Sequence, residues 1–181
     1  SSMVTEFIYW SDYYNSIISP FYSYSTGRTK ETIRSSQVTC RDIDGDGCIE
    51  IPEDTSSKKQ SSEITSQNWV NYGNTVLSHK CYSFSCKRDG YILVIDDDDF
   101  SKVKANYDSE SRKLTIINKK NKSNVFEIVT LINSNYSVND PKYKDYTMIM
   151  KNSGFVYLAK VNKSSDIDIN IQTLKDMIKV Y

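Results

Sequence analysis

The residues with the clearest chemical pattern are Asp42-Ile43-Asp44-Gly45-Asp46-Gly47-Cys48-Ile49-Glu50-Ile51-Pro52-Glu53. Oxygen donors at alternate positions suit Ca²⁺, a hard cation that gathers carboxylates and carbonyls. Asp42, Asp44 and Asp46 supply three carboxylates. Gly47 permits the sharp turn, and Cys48 offers its backbone carbonyl, which leaves its side chain free to vary. Ile49 is expected to anchor the loop in a core, and Glu50 or Glu53 closes the coordination sphere. Every position satisfies the calcium-loop pattern D-x-D-x-D-G-x-I-x-x-x-E. The flanks argue against a helix–loop–helix. Residues 35–41 carry no helical apolar stripe, and Pro52 falls where an exiting helix would already have begun. Ile49-Glu50-Ile51 reads as a strand. The expectation is an EF-hand-like loop on a β scaffold, with Asp42, Asp44, Asp46, the Cys48 carbonyl and Glu50 as ligands. One loop without a helix pair to open suits a structural site rather than a sensor. The competing reading is an Asp/Gly-rich turn that holds no metal.

Other groups carry weaker signals. Asp96-Asp97-Asp98-Asp99 gathers four carboxylates, but adjacent residues in extended chain point alternately, so it reads as a solvated acidic turn before a cation site. The cysteines are Cys40, Cys48, Cys81 and Cys86, and their spacing fits no zinc pattern. A Cys81–Cys86 bridge across a hairpin, a Cys40–Cys48 bridge bracing the loop, and four reduced thiols all stay open. His79 is the single histidine. A thiol enzyme or hydrolase would have to pair it with Cys81 or Cys86, and no nucleophile elbow, zincin or phosphate-loop motif is present. Fourteen tyrosines and two tryptophans include a dense cluster, Tyr9, Trp10, Tyr13, Tyr14, Tyr22 and Tyr24. Exposed and coplanar, such rings would bind glycans; packed inward, they would be core.

These residues need elements to hold them. Residues 7–18 recur at mixed helical spacing and predict a short amphipathic helix ended by Pro20. Residues 54–67 are polar and read as a linker. The apolar period then changes to two, and strands are expected over 68–77, 80–86, 90–96, 101–107, 112–118, 124–133, 145–151 and 154–162. Asp89-Gly90 and Ser153-Gly154 mark tight turns. Ile169, Ile171, Leu174, Met177 and Ile178 fit one face of a helix near 171–179. Many strands and then one helix predict an α+β fold, a largely antiparallel β-sheet with a C-terminal helix and an N-terminal segment carrying the loop. The division expected is 1–60 and 61–181. The chain has 181 residues, with 23 basic and 23 acidic side chains. That balance gives no electrostatic footprint for nucleic acid or an anionic membrane.

The segment Cys40-Arg41-Asp42-Ile43-Asp44-Gly45-Asp46-Gly47-Cys48-Ile49-Glu50-Ile51-Pro52 resembles the D-x-D-G-D-G-x-x-E-I-P segments of an uncharacterised family of exported lipoproteins from Gram-positive anaerobes. Those segments look like the calcium loops of FG-GAP propeller blades. Asn68-Trp69-Val70-Asn71-Tyr72 resembles the family's Trp-x-x-Tyr strand. Asp89-Gly90-Tyr91-Ile92-Leu93-Val94-Ile95 and Phe155-Val156-Tyr157-Leu158-Ala159-Lys160 resemble two more of its strands. Asp96 stands where the family has proline, and Phe100 lies near where it has tryptophan. The resemblance implies a PsbP-like sheet covered by helices; residues 1–60 carry the calcium loop, and whether their first part, 1–38, folds with this domain or ends a preceding propeller-like domain stays open. It also implies an extracellular, cell-envelope address through a lipid anchor outside this chain. The expected role is a calcium-stabilised, non-enzymatic module, monomeric, that binds a protein or envelope ligand. The alternatives are a glycan-binding module and a thiol enzyme or hydrolase.

Overall fold

The computed structural model describes residues 2–29, 31–55, 63–73, 75–137, 140–162 and 167–181. The chain forms two compact units, Ser1–Ser56 with Gln67–Cys81, and Ser57–Ser66 with Tyr82–Tyr181. Half of the stretch expected to be a linker, 56–62, lies outside the described residues, as does the expected boundary at 60/61, and residues 64–67 of it are strand instead.

The first unit opens with two small hairpins. β1 (Tyr9–Ser11) pairs with β2 (Ser16–Ile18), and β3 (Tyr22–Ser23) with β4 (Arg28–Thr29). The first hairpin replaces the helix expected over 7–18. The reason is local: Tyr, Trp, Ile and Ser favour a pleated surface. Asn15 closes the turn at φ +46, a left-handed conformation that asparagine tolerates. The Ser11 hydroxyl accepts the Tyr14 N–H at 3.4 Å. β5 (Ile51–Asp54) pairs antiparallel with β6 (Ile64–Gly73), with Ile51 opposite Val70 and Asp54 opposite Gln67. β7 (Val76–Cys86) follows β6 in the sheet order, and β5 is an edge. An edge strand tolerates Pro52, whose missing N–H costs no ladder bond. Phe21, Ile51 and Val70 form an apolar cluster with Phe7 and Tyr72 against it. The Phe7, Phe21 and Tyr72 rings meet at centroid distances of 5.0–5.6 Å.

The second unit holds the larger cluster of buried side chains. β8 (Tyr91–Ile95) runs between the end of β7 and β14 (Ile178–Val180). β9 (Val103–Asp108), β10 (Lys113–Asn118), β11 (Asn124–Ile132), β12 (Thr147–Lys151) and β13 (Phe155–Val161) make an antiparallel sheet ordered β12-β13-β11-β10-β9. Period-two burial is plain in β10, where Leu114 and Ile116 point into the core and their neighbours do not. α1 (Asp97–Phe100) is a single turn, and α2 (Ile171–Met177) is two turns capped by Asn170, whose side chain accepts the Thr173 N–H at 3.0 Å.

Strand holds 48% of the chain and helix 10%, so the fold is essentially all-β and the α+β expectation is corrected. The C-terminal apolar run was expected to be helical through residue 179. Instead α2 stops at Met177, and Ile178–Val180 turns extended to pair with β8. β-Branched Ile178 and Val180 gain more as strand residues against a partner edge than as a third helical turn. α2 buries a single side chain, Leu174. A sheet covered by helices, as the PsbP-like resemblance implied, is not seen among the described residues.

Candidate metal centre

The acidic loop runs from Arg41, which bridges to Glu50 at the loop's neck. Arg41 N–H donates to the Glu50 carbonyl at 3.2 Å, and Glu50 N–H donates to the Arg41 carbonyl at 3.0 Å. Between them the chain folds on its own carboxylates. Asp42 accepts Gly45 N–H at 2.6 Å and Gly47 N–H at 2.9 Å. Asp44 accepts Asp46 N–H at 3.1 Å, and Asp46 accepts Cys48 N–H at 2.8 Å. Asp side chains that bond backbone two to five residues on are ordinary turn chemistry. Gly45 and Gly47 sit at φ +83 and +88. Open space surrounds both, so the backbone conformation, not crowding, calls for glycine there.

Glu50 is what separates this loop from an ordinary turn. It is fully buried. Its Oε2 accepts Ile43 N–H at 3.0 Å, while Oε1 finds no hydrogen-bond partner among the described residues. A buried carboxylate oxygen without a partner carries a desolvation cost. Burial, and then the Asp44 and Asp46 carboxylates, push its carboxyl above the ordinary glutamate value, against the Ile43 N–H and Lys80. Asp42, Asp44 and Glu50 each present one carboxylate oxygen, and these all lie within 4.8 Å of one another. Among the described residues they form the one such acidic group. The set could hold a metal ion.

The other expected ligands fall differently. Asp46 faces Lys80, whose Nζ lies 2.6 Å from Asp46 Oδ2 and 3.2 Å from Asp44 Oδ2. The Lys80 hydrogen bond, followed by that from Cys48 N–H, holds the Asp46 carboxyl below its ordinary value. Cys48 is exposed with its N–H turned to Asp46. Glu53 lies on β5 and accepts a 3.0 Å bond from Asn68, away from the cluster. Ile49 is 57% exposed and does not anchor the loop; Ile43 and Ile51 are the buried residues on either side of it. Lys80 was not read as part of the site. It lies 34 residues from Asp46, on a strand whose pattern gave no signal of that pairing.

Asp96 precedes α1, whose Asp97–Asp99 lie in its first turn, and Asp99 accepts a 3.0 Å bond from Lys102. The four cysteines make no disulfide. Cys81 and Cys86 lie on one strand, five residues apart, so no bridge can cross a hairpin between them. The Cys86 thiol is pushed up to about 12 by burial and by Asp89, a poor state for a nucleophile. His79 is exposed, and its Nδ1 hydrogen-bonds the Asn68 side chain. Trp10, Tyr13, Tyr14 and Tyr24 are exposed, but the Tyr13–Tyr14 and Tyr22–Tyr24 pairs meet at 88° and 83° and present no coplanar platform.

No protein-family model, no curated protein and no solved structure matches this chain.

Proposed function

We propose that the loop of residues 41–50 is a structural calcium site in a non-enzymatic module of an exported cell-envelope lipoprotein. The carrying observation is Glu50: a fully buried carboxylate with one oxygen unpartnered, clustered with Asp42 and Asp44. A divalent cation supplies the missing partner and balances the charge. The donors are all oxygen, which favours a hard cation over zinc. Asp42, Asp44 and Glu50 would hold it directly, with Asp46 and the Cys48 carbonyl completing the sphere. Among the apolar residues between Thr39 and Glu50 only Ile43 is buried. The loop's conformation therefore rests on its hydrogen bonds and its cation rather than on a core. The role of the metal is to stabilise the first unit by binding the folded state alone. The envelope address rests on the resemblance of residues 40–52, and the ligand is a protein or envelope component.

The test is thermal unfolding in millimolar Ca²⁺ against excess chelator, with Asp44→Ala alongside. Calcium should raise the melting temperature by several degrees, and Asp44→Ala should remove the rise. Equal melting in both conditions would leave an ordinary Asp/Gly turn.

A further inference from the structure

Lys80 brings a positive charge to the acidic loop. Its ammonium lies 2.6 Å from Asp46 Oδ2 and 3.2 Å from Asp44 Oδ2. Asp44 also belongs to the cluster with Asp42 and Glu50. A divalent cation on that cluster would draw on Asp44 directly, and on Asp46 as it completes the sphere proposed above. Coulomb repulsion would then act between the metal and an ammonium sharing those oxygens. Three carboxylates converge here, with Asp46 beside them on Lys80, and like charges held this close favour a cation among them.

We infer that Lys80 is the loop's internal competitor. Its ammonium neutralises Asp44 and Asp46 in the metal-free protein and is displaced from them when calcium binds. Lys80 thereby sets the calcium affinity. The inference rests on the calcium reading above and adds a residue to it. The geometry favours this role over that of an additional anchor. An anchor would hold the loop without using an oxygen the metal needs. Lys80 instead occupies one carboxylate oxygen on each of two ligands, and the other oxygen of each accepts a backbone N–H. A long, flexible stem lets the ammonium swing into solvent at small cost. Its side chain is 28% exposed in the paired position, so the exit is open.

The consequence is an exchange. Calcium entry releases a lysine from the loop onto the exposed stretch of β7 that also carries His79. Binding weakens as the Lys80 pairs strengthen, because both draw on the same oxygens.

Calorimetric titration with CaCl₂ at fixed ionic strength tests this on the full chain, with Lys80→Met and Lys80→Arg. Methionine keeps the stem and removes the charge, and should tighten calcium by about three- to thirtyfold, the scale of two exposed ion pairs. Arginine keeps the charge and should stay near wild type. Equal affinity in wild type and Lys80→Met would overturn the competitor role while leaving the calcium site intact. Weaker binding in Lys80→Met, with circular dichroism unchanged, would overturn it in favour of an anchoring role. No heat of binding in any folded variant would overturn the calcium reading itself, and the inference with it.

Discussion

Glu50 is buried with Oε1 unpartnered, so the metal-free fold carries the cost of that charge. Glu50→Gln keeps the shape and removes the charge. In chelator its melting temperature should equal or exceed that of wild type, and the calcium-induced rise should disappear; a lower melting temperature in chelator would show that the carboxylate already stabilises the fold without metal. Asp54 is the opposite case. Burial would raise its carboxyl, but bonds from Ser35 N–H, Ser35 Oγ and Ser36 N–H, at 2.7, 2.7 and 3.0 Å, prevail and lower it below the ordinary 3.8. A depressed folded-state value means stability that is fully present above the ordinary range and is lost as pH falls through the folded value. Asp54→Asn should therefore cost about 1–2 kcal/mol at neutral pH and converge with wild type in acid, by urea denaturation at each pH. A deficit that persists in acid would refute the charge argument. The acidic cluster of Asp42, Asp44 and Glu50 was readable because its carboxylates fall at fixed local offsets in the sequence. Lys80 and the Ser35–Asp54 clamp were not, since long-range pairing leaves no local pattern. Ile49 misled because the calcium pattern expects an apolar residue there, whereas this loop buries Ile43.

At the level of elements, residues 64–67, read as linker, open β6, whereas the succession of strands from 68 to 162 was legible in the period-two pattern and in turns such as Asp89-Gly90. Gly90 takes φ +70 there, and its N–H reaches the Cys86 carbonyl at 2.9 Å. The same turn buries a charge that the sequence did not announce. Asp89 is fully buried and pairs with Arg112 at 2.6 Å. It accepts Tyr107 Oη–H at 2.8 Å, and its carbonyl accepts Tyr157 Oη–H at 2.8 Å. The Arg112 guanidinium lies 4.7 Å from the centroid of the Phe155 ring. Removing one member of such a group strands the others in a dry site. Asp89→Ala should cost about 3–5 kcal/mol in urea unfolding; a loss below about 1 kcal/mol would mean the network is not closed. The helix expected over 7–18 failed because mixed spacing of aromatic residues fits a short hairpin as well as a helical face. At that length, β propensity and the Asn15 turn decide.

For the molecule as a whole, the sequence showed that strands dominate but overstated the tail. A seven-residue helix ending in a pairing strand has the same apolar residues as a longer helix, and only the β8 edge distinguishes the two. The first unit places a cluster of carboxylates on a loop with little buried apolar surface, and that is where a cation would matter to stability. The most direct test is a crystal structure of the full chain grown in millimolar CaCl₂. The account predicts a strong density peak about 2.3–2.6 Å from oxygens of Asp42, Asp44, Asp46, Glu50 and the Cys48 carbonyl, with Lys80 swung clear. The same loop with no peak, and Lys80 still on Asp44 and Asp46, would contradict it.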